Sequence, residues 1–187
     1  MKTLNLLFIG NSHTYYNDMP LMVRRRAEAA GWSCRVTMIA HGGWFLARHA
    51  EEPEVRFNIL HGGYDYVILQ EHAHPFGPEE GFLEAAVKLN RLIREAGSKP
   101  VLYETWARKD EPEAQAFMNA VHRRIAREIG ASLAAVGENW WDCVRSQPEM
   151  DMYDGDGAHA SRAGSEFAAK HIWEAILKDM RGISDGL

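Results

Sequence analysis

From one end to the other the chain alternates between short apolar runs and longer segments carrying a helical apolar stripe, and this alternation limits the available folds more than any other feature. Residues 5–9, 34–39, 64–69, 100–106 and 132–136 read as strands. The run at 5–9 is almost uniformly apolar, which suits a strand buried on both faces of a parallel sheet. Residues 20–30, part of 45–60 with Pro53 interrupting, 79–96, 112–129 and 138–145 read as helices. Phe82, Ala86, Leu89 and Ile93 recur on one face of the 79–96 helix, and Gly31, Gly97 and Gly130 stop their helices. Ser161 caps a last helix running to about Met180, and the tail after about residue 181 is expected to fray. Strands separated by helices of this length predict a single α/β domain over residues 1–187, a three-layer α/β/α sandwich on a parallel five-stranded sheet. Right-handed crossovers would bring every strand's carboxyl end to one edge.

A chain of 187 residues, 46% apolar and 25% charged, can bury the core such a domain needs. Its net charge of −5 gives a nucleic-acid partner no electrostatic support. No apolar stretch is long enough to cross a membrane. Lys2 and the run behind it mimic a signal peptide, but Asn11, Ser12 and His13 cut the run short and no small-residue cleavage site follows. The run therefore reads as the first strand and the protein as cytoplasmic. Cys34 and Cys143 have no metal or redox spacing and read as reduced, buried thiols.

Three polar or glycine-rich stretches follow three strands, at residues 10–14, 41–44 and 70–74, so the predicted fold gathers them at one edge. Gly10 turns the chain sharply and places Asn11 and Ser12 just past a buried strand. Taken alone, these two residues read as caps of a turn or helix. Near the other end, Asp156 and His159 lie three apart on a glycine-containing loop. That spacing lets the carboxylate reach the near ring nitrogen, leaving the far one to accept a proton from a serine hydroxyl.

Phe8-Ile9-Gly10-Asn11-Ser12, His41-Gly42-Gly43-Trp44 and Asp156-Gly157-Ala158-His159, in this order and spacing, resemble the motifs of the SGNH, or GDSL-like, hydrolase superfamily. Asn11 stands where many members carry aspartate. The resemblance implies a flavodoxin-like SGNH fold and ester hydrolysis through an acyl-enzyme, with Ser12 as nucleophile, His159 as base and Asp156 as its orienter. It also implies an oxyanion hole from the backbone N–H groups of Ser12 and Gly43, with Gly42 the alternative, and a side-chain amide. The family commonly has Gly-x-Asn-Asp after the third strand. Here the strand ends in Gln70-Glu71-His72, so the amide is assigned to Gln70. Asn11, His13, Trp44 and His72 are expected to line the pocket, and Asp154 is the rival to Asp156. The implied substrates are small acyl esters such as the O-acetyl groups of sugars, handled with no metal or organic cofactor and with no nucleic-acid or membrane partner.

Two other readings use the same edge. His13, His41, His72 and His74 all follow strand ends and could hold a catalytic zinc in a metal-dependent hydrolase. A non-catalytic flavodoxin-like binding module would need phosphate-cradling glycines, in which Gly10-Asn11-Ser12 is poor.

Overall fold

A computed structural model of the chain describes residues 2–182; the expected frayed tail lies, from residue 183 on, outside them. Strands β1 (Thr3–Gly10), β2 (Ser33–Ala40), β3 (Tyr66–Gln70), β4 (Lys99–Tyr103) and β5 (Ser132–Ala134) form one sheet in the order β2-β1-β3-β4-β5. Every pairing is parallel. The helices are α1 (Ser12–Tyr15), α2 (Met19–Ala29), α3 (Leu46–His49), α4 (Pro53–His61), α5 (Glu79–Glu95), α6 (Ala114–Ile129), α7 (Val136–Ser146) and α8 (Arg162–Met180).

Successive strand side chains point to opposite faces, so β1 feeds two separate cores. Leu4, Leu6 and Phe8 pack with residues of α2, α7 and α8 on one side. Leu7 and Ile9 pack with residues of α3, α4, α5 and α6 on the other. Leu6 through Ile9 are 0% exposed, as the central strand of a three-layer sandwich requires. Helix α8 packs closely on α7 and on the chain that precedes it: a Cβ at Gly164 would collide with the Met152 carbonyl and the Trp140 ring. Among the described residues, no helix is long and apolar enough to cross a membrane.

Three local expectations are corrected. The strand expected to run to Trp106 stops at Tyr103, where the ladders to both neighbours end, with Gln70 as its last partner on β3 and Ala134 on β5. Glu104, Thr105 and Trp106 stay wholly buried beyond the ladder, and Trp106 turns to stack on Trp140 with ring centroids 3.7 Å apart. The strand expected from residue 64 begins at Tyr66. A single helical turn, α1, starts immediately after Asn11, ahead of the first helix expected, which begins at residue 20.

In this strand order the chain leaves β1 in one direction to form β2 and then crosses to β3 on the other side. Such a reversal opens a crevice at the carboxyl ends of the two central strands. Ser12 follows β1 and Gln70 ends β3, so both stand at that crevice.

Candidate active site

The turn after β1 is fixed from several sides. The Asn11 side chain accepts from His13 N–H and so caps α1, as the plainer reading of this residue holds. Its Nδ2 donates to the Trp44 carbonyl at 3.1 Å. The Gly10 carbonyl accepts from His41 N–H at 3.1 Å and from the buried His49 Nε2–H at 2.7 Å. The loop of residues 41–44 is thereby tied at both ends to the Ser12 turn. Gly43 in this loop has φ +73°, a conformation glycine adopts without strain, and nothing lies within 4 Å of where its Cβ would stand. Ser12 is the first residue of α1, so its N–H has no intrahelical acceptor. Gly10 has no room for a side chain: a Cβ would strike Gln70 Oε1 and Thr14 Oγ1.

The second half of the site comes from the loop before α8. Trp106 Nε1–H donates to the Ala158 carbonyl at 2.9 Å, Lys109 N–H to Gly157 at 2.9 Å, and Tyr153 Oη–H to Ala107 at 2.8 Å. Held this way, Asp156 Oδ1 accepts from the N–H groups of Ala158 and His159, each at 2.9 Å. Its Oδ2 meets His159 Nδ1 at 2.5 Å, and His159 Nε2 meets Ser12 Oγ at 2.8 Å. Because a carboxylate only accepts, the proton sits on Nδ1 and Nε2 is free to accept from Ser12. Burial pushes the Asp156 carboxyl up, but the His159 side chain and the two backbone N–H groups outweigh it and hold the group well below the usual carboxylate range. Asp154 is exposed, and the bonds it makes here, to His159 and Gly157, are through its backbone.

Gln70 differs from the expectation. Its Oε1 accepts from Asn11 N–H at 2.8 Å and Thr14 Oγ1–H at 2.8 Å, and its Nε2 donates to the carbonyl of its own neighbour Glu71. The side chain is 1% exposed and lies beneath the turn. It therefore acts as an acceptor that ties β3 to the Ser12 turn, and its amide is engaged by the Glu71 carbonyl rather than presented as an oxyanion donor. Removing it would leave a buried N–H and hydroxyl without partners, at about 1–3 kcal/mol. Gln70→Ala is accordingly expected to lower the melting temperature by several degrees, at roughly 2–4 °C per kcal/mol for a domain of this size. An unchanged melting temperature with a hundredfold lower kcat would instead favour the donor role.

The expected pocket residues also separate. Asn11 is buried under the turn. His13 is 7% exposed; its ring stacks with His159 at 4.9 Å and touches His74 and Trp106 at 5.1 and 5.4 Å. Burial, with His74 and His159 nearby, holds the His13 pKa well below its usual value. Trp44 packs on His41 at 4.1 Å and under the Arg48 guanidinium at 3.7 Å. His72 stacks on Phe45 at 4.3 Å, and its Nδ1–H donates to the Pro75 carbonyl. Of the histidines of the zinc reading, His13 lies against both His159 and His74, His41 packs beside Trp44, and His72 on Phe45. Among the described residues, no group of three or more His, Cys, Asp or Glu side chains is arranged to hold a metal ion. Sequence reasoning missed three contributors: Trp106, His49 and Tyr16, whose ring lies against His159.

Glu71, next to Gln70, is 2% exposed and accepts from the N–H groups of Leu46 and His72. Burial pushes its carboxyl up to about 7, against the pull of those two bonds. The folded state therefore binds this proton more tightly than the unfolded chain. Its contribution to stability is full below the ordinary glutamate range and is lost as pH rises through about 7. Glu71→Gln cannot ionise, so melting curves of variant and wild type should diverge between pH 5 and 8, with the variant increasingly the more stable. Parallel curves would contradict this account.

No protein-family model matches the chain, and neither does any curated protein. Solved structures do. One, described as an SGNH hydrolase from Slackia heliotrinireducens, is 26% identical with a TM-score of 0.79, over 94% of this chain and 100% of that one. A DUF4886 family protein from Bacteroides uniformis is 17% identical with a TM-score of 0.77, over 93% of this chain and 83% of its own. An acetyl xylan esterase is 16% identical with a TM-score of 0.74, over 92% of this chain and 100% of its own. The likeness to the Slackia protein covers 94% of this chain, and the chain belongs to the SGNH hydrolase superfamily.

Proposed function

We propose that this chain is a serine ester hydrolase that removes small acyl groups, O-acetyl groups of carbohydrates foremost. The observation that carries the reading is the unbroken relay from Asp156 Oδ2 to His159 Nδ1 at 2.5 Å and from His159 Nε2 to Ser12 Oγ at 2.8 Å. In this reading Ser12 Oγ attacks the ester carbonyl as its proton passes to His159 Nε2. On the same reading the oxyanion accepts from the backbone N–H groups of Ser12 and Gly43. Collapse of the tetrahedral species breaks the bond to the alcohol, which leaves with the proton from His159. Water then repeats the sequence on the acyl-enzyme, releasing the acid and restoring Ser12.

The preference for short acyl groups draws on the structural neighbours, which include an acetyl xylan esterase and an acetyl-xylooligosaccharide esterase. The test is hydrolysis of p-nitrophenyl esters from acetate to decanoate, together with acetylated oligosaccharides. The acetyl esters should give the highest kcat/KM. No hydrolysis of any ester would overturn the reading, and rates that climb with chain length would overturn the acyl preference.

A further inference from the structure

Two rings stack on His159. The Tyr16 ring lies with its centroid 4.1 Å from that of the imidazole and its plane 11° from parallel. His13 stacks at 4.9 Å and 29°. One face of a five-membered ring cannot carry both, so they take opposite faces and hold the imidazole between them.

The placement of Tyr16 is built rather than incidental. The two residues after it, Asn17 and Asp18, have φ of +54° and +57°, a backbone conformation that costs free energy for any residue but glycine. Asn17 Nδ2 secures that bend by donating to the Ala160 carbonyl at 3.0 Å and to Ser165 Oγ at 2.9 Å. Ala160 directly follows His159, so the bend carrying Tyr16 is anchored to the segment carrying the base. Ser165 Oγ also reaches the Tyr16 carbonyl.

A proton-accepting His159 is neutral at rest and cationic while it holds the Ser12 proton. An aromatic face attracts a cation through the negative face of its quadrupole, and the attraction grows when water is excluded. The ring on the other face, His13, is 7% exposed. Burial keeps it neutral, so it adds no like charge against the imidazolium.

We propose that Tyr16 is a positioning residue for His159: its ring face steadies the imidazole between Ser12 and Asp156 and stabilises the charge acquired during attack. This rests on the esterase reading above. Because the charge exists in the transition state and not in the resting complex, the effect belongs in kcat. Tyr16→Leu should lower kcat by about 3- to 30-fold, the range of a cation–π contact, with KM within about twofold. Tyr16→Phe keeps the face and should stay within about twofold of wild type in both. Phenylalanines carrying one, two and five fluorines at position 16 keep the ring shape while draining its negative face, so kcat should fall stepwise as fluorines are added.

The inference is overturned if Tyr16→Leu turns over at the wild-type rate, if its loss lies in KM, or if kcat ignores fluorination. It is also overturned if Tyr16→Phe falls as far as Tyr16→Leu, which would assign the effect to the phenol hydroxyl. Ser12→Ala measured alongside separates the two levels. An active Ser12→Ala removes the esterase reading itself. An inactive Ser12→Ala with an unaffected Tyr16 series removes only the role of Tyr16.

Discussion

Replacing Ser12 with alanine is expected to lower turnover on the order of a million-fold, the scale at which loss of a relay nucleophile is felt. The fold should not register the change. The hydrogen bond that Ser12 Oγ makes is to His159, and the side chain is half-buried at the crevice rather than packed in either core. The cap on α1 is supplied by Asn11, so the helix start does not depend on the hydroxyl. Kinetics and thermal melting on the same preparation make the measurement. An alanine variant with native melting and near-native rates would remove Ser12 from the chemistry.

Asp156→Asn should have the second-largest effect, about ten-thousand-fold in kcat. The reason lies in which oxygen is already committed. Asp156 Oδ1 is held by two backbone N–H groups, at Ala158 and His159. An asparagine would keep its carbonyl there and turn its NH2 toward His159 Nδ1. Nδ1 would then have to accept, the ring proton would move to Nε2, and Nε2 could no longer receive the Ser12 proton. Binding of the resting substrate has no part in this, so KM should change little. Asp154→Asn serves as the control and should behave as wild type, because the bonds that Asp154 makes in this loop are through its backbone. A fully active Asp156→Asn, or an inactive Asp154→Asn, would reverse the assignment.

How much of this could be read in the sequence depended on how local the determining physics is. The apolar run of β1 identifies a two-face-buried strand because its alternating residues feed both cores, Leu4, Leu6 and Phe8 one and Leu7 and Ile9 the other. The Ser161 cap was legible because its partner, Gly164 N–H, lies three residues away. The Asp156–His159 contact is equally local, spanning one loop. By contrast, Gln70 was read for its amide donor, while its surroundings use its oxygen; which end of an amide is engaged depends on Asn11 and Thr14, about sixty residues earlier in the chain. Tyr16 and Trp106 leave no periodic signal, since ring stacking on His159 and Trp140 is created only when distant segments meet. The early end of β4 was hidden for a related reason: it stops at Tyr103, where the ladders to its neighbours β3 and β5 both end, and not where its own apolar side chains do.

The most direct test of the central claim is to trap the nucleophile. The purified protein is treated with a fluorophosphonate, which forms a covalent bond with a serine oxygen only where a neighbouring base takes the proton, and the labelled residue is located by peptide mass spectrometry. The account predicts one label per chain, on Ser12, in step with loss of ester hydrolysis, and little or no label in His159→Ala. A label on any other serine, or an enzyme that stays active and unlabelled, would contradict it.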